Sequence, residues 1–422
     1  MASFGHGISA PVLPVPQQNS NGNAAPVAAP SISKTTINTP AIVTAMFNIK
    51  GASDLIFSPG RPPQVELNGT LRGVKFEGLP ILTAEHTAAI ARDLLGNNRQ
   101  AARSLEEDGS ADLSYSLPQV ARFRVNVFKQ RNSIAIVMRV IPNKIPGFDD
   151  LNLPAELKNI CNLKNGIVLV TGPTGSGKSS TLAAIIDLIN STRADHIVTI
   201  EDPIEFLHLH KLGTVHQREL HSDTSSFASA LRAALRQAPK VILVGEMRDK
   251  DTIEIALTAA ETGHLVFSTL HTIDASKTVE RIVGVFPASD QQVIRTRLAA
   301  SFRYFVSQRL LPRRDGKGRV ALLEILKSTM RTRDYIERGE GEGKTLLDAM
   351  RDGDQDGMQY FDGEMEKYLR AGVITFDNAM HYATNAGNLK LRLSDFDEDD
   401  VEPAGPEVLR LSEQIEKLEV EA

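Results

Sequence analysis

The stretch Gly172-Pro-Thr-Gly-Ser-Gly-Lys-Ser179 decides the fold of this chain. It stands directly after the apolar run Ile167-Val-Leu-Val170 and directly before residues 181–189, whose apolar side chains have helical spacing. A strand, a glycine-rich loop and a helix in this order form a phosphate-binding loop. Its backbone N–H groups and the helix N-terminus together wrap a phosphate group. The chain is therefore predicted to bind a nucleoside triphosphate.

Individual side chains of this loop have separate expected roles. Lys178 is expected to reach the β- and γ-phosphates, and the Ser179 hydroxyl is expected to bind Mg²⁺. Gly175 and Gly177 leave the backbone N–H groups unblocked. The residues predicted to contact the nucleotide in this segment are Gly172, Pro173, Thr174, Gly175, Ser176, Gly177, Lys178, Ser179 and Ser180.

The composition indicates a globular protein of a reducing compartment. A chain of 422 residues with 41% hydrophobic residues can build roughly two to three domains. Its single cysteine, Cys161, excludes a disulfide framework and a zinc site of paired cysteines. A cytoplasmic location is therefore expected, with no secretory signal and no membrane-spanning segment. The net charge of −5 and the absence of tryptophan argue against direct nucleic-acid binding.

Periodicity divides the chain into six segments and predicts a mixed α/β fold. The N-terminal segment is rich in Pro, Ala, Ser and Asn and is expected to be disordered. The C-terminal segment is acidic and is read either as a solvated tail or as a docking helix for a partner. The segments are a tail at 1–39, an N-terminal α+β domain at 40–141, a linker at 142–154, a RecA-like core at 155–312, a helical part at 313–394 and an acidic tail at 395–422.

Within these segments, alternation and helical spacing predict particular elements. In the N-terminal domain, helices are predicted at 40–49 and 83–95, and strands at 53–57, 64–67, 71–74, 121–128 and 133–140. In the core, buried strands of a parallel sheet are predicted at 167–170, 196–200, 241–244 and 265–268. From there the chain is predicted to be helical, at 291–311, 346–350, 363–371 and 376–385.

Hydrolysis of a triphosphate needs carboxylates opposite the phosphate loop, and two strand ends offer them. Val241-Ile-Leu-Val-Gly-Glu246 is an apolar strand that ends in an acid, which places Glu246 to hold Mg²⁺ through water. Ile197-Val-Thr-Ile-Glu-Asp-Pro-Ile-Glu205 delivers Glu201, Asp202 and Glu205 in the same way. One of these carboxylates is expected to be the catalytic base.

Two histidines flank another buried strand, Gly263-His-Leu-Val-Phe-Ser-Thr-Leu-His271. Their spacing and neighbours do not suggest a metal site. His264 and His271 are either structural side chains or sensors of the phosphate state.

Four ordered motifs give the chain a family resemblance. They are the phosphate loop, the Asp box Ile200-Glu-Asp-Pro-Ile-Glu205, the Walker B segment Val244-Gly-Glu-Met-Arg-Asp249 and the His box at residues 259–272. With Arg122-Phe-Arg-Val-Asn126 and other short matches, the chain resembles the type IV pilus retraction ATPases of the type II/IV secretion ATPase superfamily. The resemblance covers roughly residues 40–393.

The resemblance implies a homohexameric ring in which a PAS-like N-terminal domain packs on the neighbouring core and ATP is bound between them with Mg²⁺. Glu205 matches the catalytic glutamate, Glu246 the Walker B glutamate, and His264 and His271 the His-box histidines. ATP-driven closure would then turn an inner-membrane pilus platform protein, so that pili retract and cells twitch. Another retraction ATPase is a further possible partner.

Basic residues are also implied in nucleotide binding. Arg122, Arg124 and Arg139 match positions of the N-terminal domain that approach the γ-phosphate, and Arg281 matches an interface position. The alternative for the three strand arginines is outward-facing surface charge, since alternation places Arg122 and Arg124 on one face of a strand.

Two segments depart from the retraction pattern. Gln237 and Lys240 stand where acidic residues are usual, and Thr329-Met-Arg-Thr-Arg-Asp-Tyr-Ile-Glu-Arg338 replaces a characteristic helix. An accessory ATP-binding partner of the retraction motor therefore remains an alternative to the motor itself. A pilus-assembly or type II secretion ATPase is disfavoured because such proteins usually carry a four-cysteine zinc insertion. A nucleic-acid translocase is a more distant alternative.

Overall fold

The computed structural model describes residues 37–67, 70–118, 120–141 and 144–397. The predicted N-terminal tail up to residue 36, the acidic tail from residue 398 and the first two residues of the predicted linker lie outside the described residues.

The N-terminal domain is an antiparallel sheet with helices packed against it. Its elements are α1 (Thr39–Phe47), β1 (Ala52–Phe57), β2 (Gln64–Leu67), β3 (Thr70–Gly73), α2 (Ala84–Leu95), α3 (Arg99–Glu107), β4 (Ser110–Leu117), β5 (Ala121–Gln130) and β6 (Ser133–Ile141). The strand order is β3-β2-β1-β6-β5-β4. In β5, Phe123, Val125 and Val127 are buried in the core and Arg124 between them is exposed on the opposite face, as the alternation predicts.

The second sheet forms the centre of the core. Its elements are a 3₁₀ helix (Ala155–Asn162), β7 (Gly166–Thr171), α4 (Lys178–Thr192), β8 (His196–Glu201), β9 (Thr214–Glu219), α5 (Phe227–Ala234), β10 (Val241–Val244), α6 (Lys250–Glu261), β11 (Leu265–Leu270), α7 (Ala275–Gly284), α8 (Ala288–Ser301), β12 (Phe302–Pro312) and β13 (Arg319–Lys327). The order is β13-β12-β7-β11-β10-β8-β9, and every pair is parallel except β12 with β13. The four predicted core strands are confirmed and adjoin one another.

The helix predicted at 291–311 is wrong after Ser301. The chain there leaves α8 and enters β12, which pairs with β7, and β13 then adds an antiparallel edge. The side chains Phe302 and Phe305 fit helical spacing, yet both are fully buried in the sheet core. Arg303 ends the helix, because its guanidinium donates to the carbonyl oxygens of Ala300, Ser301 and Phe302.

The C-terminal part covers the β12–β13 side of the sheet. It consists of α9 (Met330–Arg338), α10 (Leu346–Arg351), a 3₁₀ turn (Asp354–Asp356), α11 (Phe361–Arg370), α12 (Phe376–Tyr382) and α13 (Ala386–Arg392). Phe361, Met365 and Leu369 of α11 pack on Val320 and Leu322 of β13. Because β13 belongs to the core sheet, the domain boundary drawn at residue 312 falls between two paired strands.

Among the described residues, none of the helices has the length and apolar composition needed to cross a bilayer. The carboxyl ends of β7, β8, β10 and β11 meet at one edge of the parallel sheet, where ligands of such sheets bind.

Candidate functional site

A cavity of about 750 Å³ opens at this edge. Thr174, Gly175, Gly177, Lys178, Ser179 and Ser180 of the phosphate loop line one side of it. Residues that follow β8, β10 and β11 line the other sides, which include Glu205, Glu246 and His271. The structure thus brings together the loop, both carboxylate segments and one of the two histidines.

The backbone of the phosphate loop depends on two glycines. Gly172 has a φ of +141°, and a Cβ atom there would lie 2.3 Å from the carbonyl oxygen of Gln308. Gly177 has a φ of +90°, and its Cβ atom would lie 2.8 Å from the Gln308 side-chain nitrogen. The loop therefore packs closely against β12. A side chain at either glycine position would clash with Gln308 and prevent this packing.

Gln308 is a loop-holding residue that the sequence did not reveal. Its Nε2 donates to the carbonyl oxygen of Ser176 at 2.7 Å, and its Oε1 accepts from the Thr181 hydroxyl at 2.8 Å. The side chain is buried, so both hydrogen bonds are shielded from water. It fixes the loop and the first turn of α4 to the same strand.

Lys178 stands at the start of α4 with its side chain over the loop. Its Nζ donates to the carbonyl oxygens of Gly172 at 2.9 Å and Pro173 at 3.0 Å. Burial lowers the pKa of Lys178, and the charges of Glu246 and Glu205 oppose that shift. Gly172, Pro173 and Ser176 lie behind the cavity wall, so these three act on the ligand site through the loop backbone.

Glu246 lies two residues beyond β10, and nitrogen atoms of two side chains lie close to its carboxylate. Arg248 pairs with its carboxylate, and Nε2 of His271 lies 3.6 Å from Oε1. The contact with Glu246 raises the pKa of Arg248. Arg248 belongs to the Walker B segment and lines the cavity, a position that the sequence motif does not indicate.

The three carboxylates after β8 have different surroundings. Glu201 accepts hydrogen bonds from Thr199 at 2.6 Å and from Gln217 at 3.1 Å, and burial raises its pKa. Asp202 lies 4.0 Å from His221. Glu205 is exposed on the cavity wall. Asp202 is exposed on the same wall, so exposure alone does not separate it from Glu205, and the family resemblance is what favours Glu205 as the base.

The structure separates the two His-box histidines. His271 follows β11 and lines the cavity, whereas His264 precedes β11. The length of the extended strand between them separates the two histidines by about 20 Å. The ring of His264 contacts the carbonyl oxygen of Ala259 at 2.9 Å. His264 does not line the cavity of its own chain, and its binding of nucleotide stays a prediction.

The predicted arginines also lie outside this cavity. Arg122 pairs with Glu219 at 2.7 Å, and Arg139 pairs with Asp54 at 3.0 Å. Arg124 stands opposite Arg139 in the sheet and is exposed, as is Arg281 on α7. None of these four arginines lines the cavity of its own chain.

The cavity wall has further residues that sequence reasoning missed. Arg319 at the start of β13 lines it, as do Phe227 and His208. Burial lowers the pKa of His208 to about 4, so its ring is neutral at physiological pH. The local sequence does not indicate a role for Arg319, because the pattern predicts a helical segment where β13 lies.

A divalent cation fits the donor set of the cavity. The Ser179 hydroxyl and the Glu246 carboxylate both line it, and hard oxygen ligands of this kind suit Mg²⁺. The described residues contain no group of three His, Cys, Asp or Glu side chains placed to hold a metal. A cation here would complete its coordination with phosphate oxygens and water.

A parallel sheet with a phosphate loop, a Walker B carboxylate and a second acid at the neighbouring strand end defines a RecA-type P-loop nucleotide hydrolase.

Comparison with known proteins narrows this class. The type II/IV secretion system protein family matches residues 88–379, well over half of the chain. The type IV pilus retraction ATPase PilT of Pseudomonas aeruginosa is 44% identical over 334 residues, which are 79% of this chain and 95% of that protein. The type IV pilus ATPase PilU of the same organism is 39% identical over 345 residues, which are 82% of this chain and 88% of that protein.

A solved structure agrees with these relatives. The crystal structure of the pilus retraction motor PilT with bound ADP matches with a TM-score of 0.74 at 42% identity, over 83% of this chain and 98% of that one. The chain belongs to the type II/IV secretion system protein family.

Proposed function

We propose that this chain is the ATPase motor that drives type IV pilus retraction. The observation that carries the proposal is the convergence of Lys178, Glu205 and Glu246, from three separate segments, on one cavity. Relatives that span nearly the same length are a retraction ATPase and a twitching motility protein. The reaction is hydrolysis of ATP, and its output is movement.

Each of these residues has a distinct part in the reaction. Lys178 exchanges its two loop carbonyl partners for β- and γ-phosphate oxygens. Glu205 accepts a proton from the attacking water. Ser179 and Glu246 would hold Mg²⁺, which would neutralise charge on the phosphates. His271 keeps the Glu246 carboxylate oriented, 3.6 Å from it.

The exposed arginines favour a site that is completed by a neighbouring subunit. Arg124, Arg139 and Arg281 are accessible and lie away from the cavity of their own chain. A homohexameric ring would present them to the phosphates of the next subunit, where an arginine stabilises developing charge. Arg122, which is paired with Glu219, would have to leave that partner first.

The proposed setting is the cytoplasmic face of the inner membrane. There the ring would act on an inner-membrane pilus platform protein, whose movement removes pilin subunits.

Counting pili in the host tests this function. Deletion of the gene is expected to give an excess of immobile pili, because assembly continues without retraction. Loss of all pili would instead mean an assembly ATPase and would overturn the proposal.

A second candidate is an accessory ATP-binding partner of another retraction ATPase. The specific observation is α9 (Met330–Arg338), whose sequence departs from the retraction pattern and whose first residue is 85% exposed. A strain that carries only Lys178→Ala decides between the two. Retention of normal twitching would favour the accessory protein, since a motor requires its own hydrolysis.

A further inference from the structure

Two polar contacts join the N-terminal domain to one short segment of the core. Arg122 of β5 donates from Nη2 to Oε2 of Glu219 at 2.7 Å. Gln100 of α3 lies 3.3 Å from Nδ1 of His221. The N-terminal domain therefore contacts the chain at residues 219–221, where β9 ends.

The same segment also holds the loop that carries Glu205. Oε2 of Glu219 accepts a second hydrogen bond from the backbone N–H of Ile204 at 3.1 Å. Ile204 is buried and directly precedes Glu205. His221 reaches towards the same loop, with its Nε2 4.0 Å from Asp202. One carboxylate oxygen thus connects an arginine of the N-terminal domain to the backbone next to the proposed base.

The contacts of Glu219 with Arg122 and with the Ile204 amide are rigid because the side chains involved are largely buried. The Glu219 side chain is 4% exposed and that of Arg122 is 18% exposed. The backbone N–H of Glu219 donates to Asp223 at 2.8 Å, which fixes the start of the side chain as well. A buried carboxylate that loses its cationic partner must find another donor or move towards water. Displacement of Arg122 would therefore shift the Glu219 carboxylate and, with it, the Ile204 amide.

We propose that Glu219 is a positioning residue for Glu205, through which the N-terminal domain acts on hydrolysis. The proposal rests on the proposed role of Glu205 as the base. While Arg122 stays on Glu219, the amide of Ile204 and the adjacent Glu205 are held in one place. When Arg122 leaves Glu219 and moves towards a phosphate, the position of the Ile204 amide and of Glu205 is no longer fixed in the same way.

Steady-state ATP hydrolysis by the full chain tests this role, with kcat and KM measured separately. Glu219→Gln keeps an acceptor for the Ile204 amide but removes the charge that holds Arg122. Glu219→Ala removes both. We expect kcat to fall in the order wild type, Gln, Ala, by about tenfold or more for Ala, because a base misplaced by about 1 Å costs up to a hundredfold. KM is expected to stay within about twofold, since Glu219 does not line the cavity.

A double-mutant cycle with Arg122→Ala supplies the second readout. If Arg122 acts through Glu219, its removal lowers kcat by a smaller factor in the Glu219→Ala background than in the wild type. An equal loss of kcat in the two backgrounds would show that Arg122 does not act through Glu219. Glu219→Gln with the kcat of the wild type would overturn the proposal by itself.

Two controls separate positioning from stability. Asp362→Asn alters another buried carboxylate that accepts two backbone N–H bonds, from Thr384 and Asn385 in the C-terminal part. Arg103→Ala removes an exposed arginine of the N-terminal domain. Both are expected to keep the wild-type kcat. A loss of kcat in Asp362→Asn equal to that in Glu219→Gln would identify the effect as general destabilisation.

Failure of the proposed base is recognised separately. If Glu205→Ala keeps the wild-type kcat, the role of Glu205 is wrong whatever the Glu219 variants do. If Glu205→Ala loses turnover while both Glu219 variants keep it, the base stands and the positioning role fails.

Discussion

At the residue scale, the position of Lys178 depends on partners that the phosphate loop itself provides. Its ammonium group is held between two carbonyl oxygens of the loop, and the loop is held by Gln308 from the strand behind it. Burial lowers the pKa of Lys178, which favours an incoming anion because the phosphate restores a strong partner for the charge. The lysine is therefore preorganised for phosphate.

Replacement of this lysine should remove nucleotide binding. Lys178→Ala is expected to weaken ATP binding by about a hundredfold or more, because a hydrogen bond to a charged group contributes up to about 3 kcal/mol. Titration with a fluorescent ATP analogue measures this change in affinity. Lys277→Ala, an exposed lysine paired with Glu280 on α7, is the control and should bind normally. ATP affinity within tenfold of the wild type would contradict the role of Lys178.

The two acids should affect turnover and leave binding intact. Glu205→Ala and Glu246→Ala are each expected to bind ATP and to lose about a hundredfold or more in kcat, the usual contribution of a positioned base. Steady-state phosphate release and ATP titration on the same samples give the comparison. Full hydrolysis by Glu246→Ala would show that its pairing with Arg248 and His271 has no part in catalysis.

At the scale of elements, β12 and β13 connect the phosphate loop to the segment after the His box. The hydroxyl of Thr171, at the end of β7, donates to Ser307 at 3.2 Å, and Ser307 donates to Glu324 at 3.1 Å. Glu324 also accepts from the N–H of Ala275, the first residue of α7, at 2.8 Å. Hydrogen bonds thus connect β7, β12, β13 and the first residue of α7 through one buried carboxyl group.

The pH dependence of stability should report this carboxyl. Burial raises the pKa of Glu324 from an ordinary value of 4.5 to about 7. A carboxyl with a raised folded-state pKa favours folding below the unfolded value and loses that contribution as pH rises to the folded value. Glu324→Gln, which resembles the protonated form, should therefore gain stability relative to the wild type between pH 4.5 and 7, by about 3 kcal/mol in total.

Urea unfolding across this pH range measures the difference between the two proteins. Comparison with the wild type removes the effect of other groups such as His208, whose lowered pKa acts in the opposite direction. A constant difference for Glu324→Gln would mean that folding does not raise the pKa of this carboxyl.

These elements also mark the limit of what the sequence predicts. Strands β7, β8, β10 and β11 could be predicted because each is a short apolar run followed by the loop residues of the site. Strand β12 could not, since each of its two faces is buried in a different hydrophobic cluster, which leaves no alternation to detect. Helix α3 was missed because just two of its residues, Ala101 and Leu105, are buried. Gln308 went unnoticed because it lies in β12.

At the scale of the whole molecule, the exposed arginines do not line the cavity of their own chain. Arg124 and Arg139 stand side by side on the outer face of the N-terminal sheet, and Arg281 lies on α7. If they serve the reaction as proposed, a second chain brings them to the phosphates. A site of this kind makes activity depend on assembly.

Assembly should therefore depend on nucleotide. Light scattering of the full chain with ATP and Mg²⁺ is expected to give a hexamer, because a bound nucleotide shared between two chains stabilises their interface. A monomer under all nucleotide conditions would contradict the ring.

Mixing of two inactive variants tests the shared site directly. Lys178→Ala removes the phosphate contact but leaves the arginines, while Arg124→Ala with Arg139→Ala removes arginines and leaves Lys178. Each variant alone is expected to be inactive. In a mixed ring, some subunits with intact Lys178 lie beside neighbours with intact arginines, so ATPase activity should return on mixing. If mixing restores nothing, the arginines act within their own chain or have no part in hydrolysis, and Arg139 then serves the N-terminal domain through Asp54.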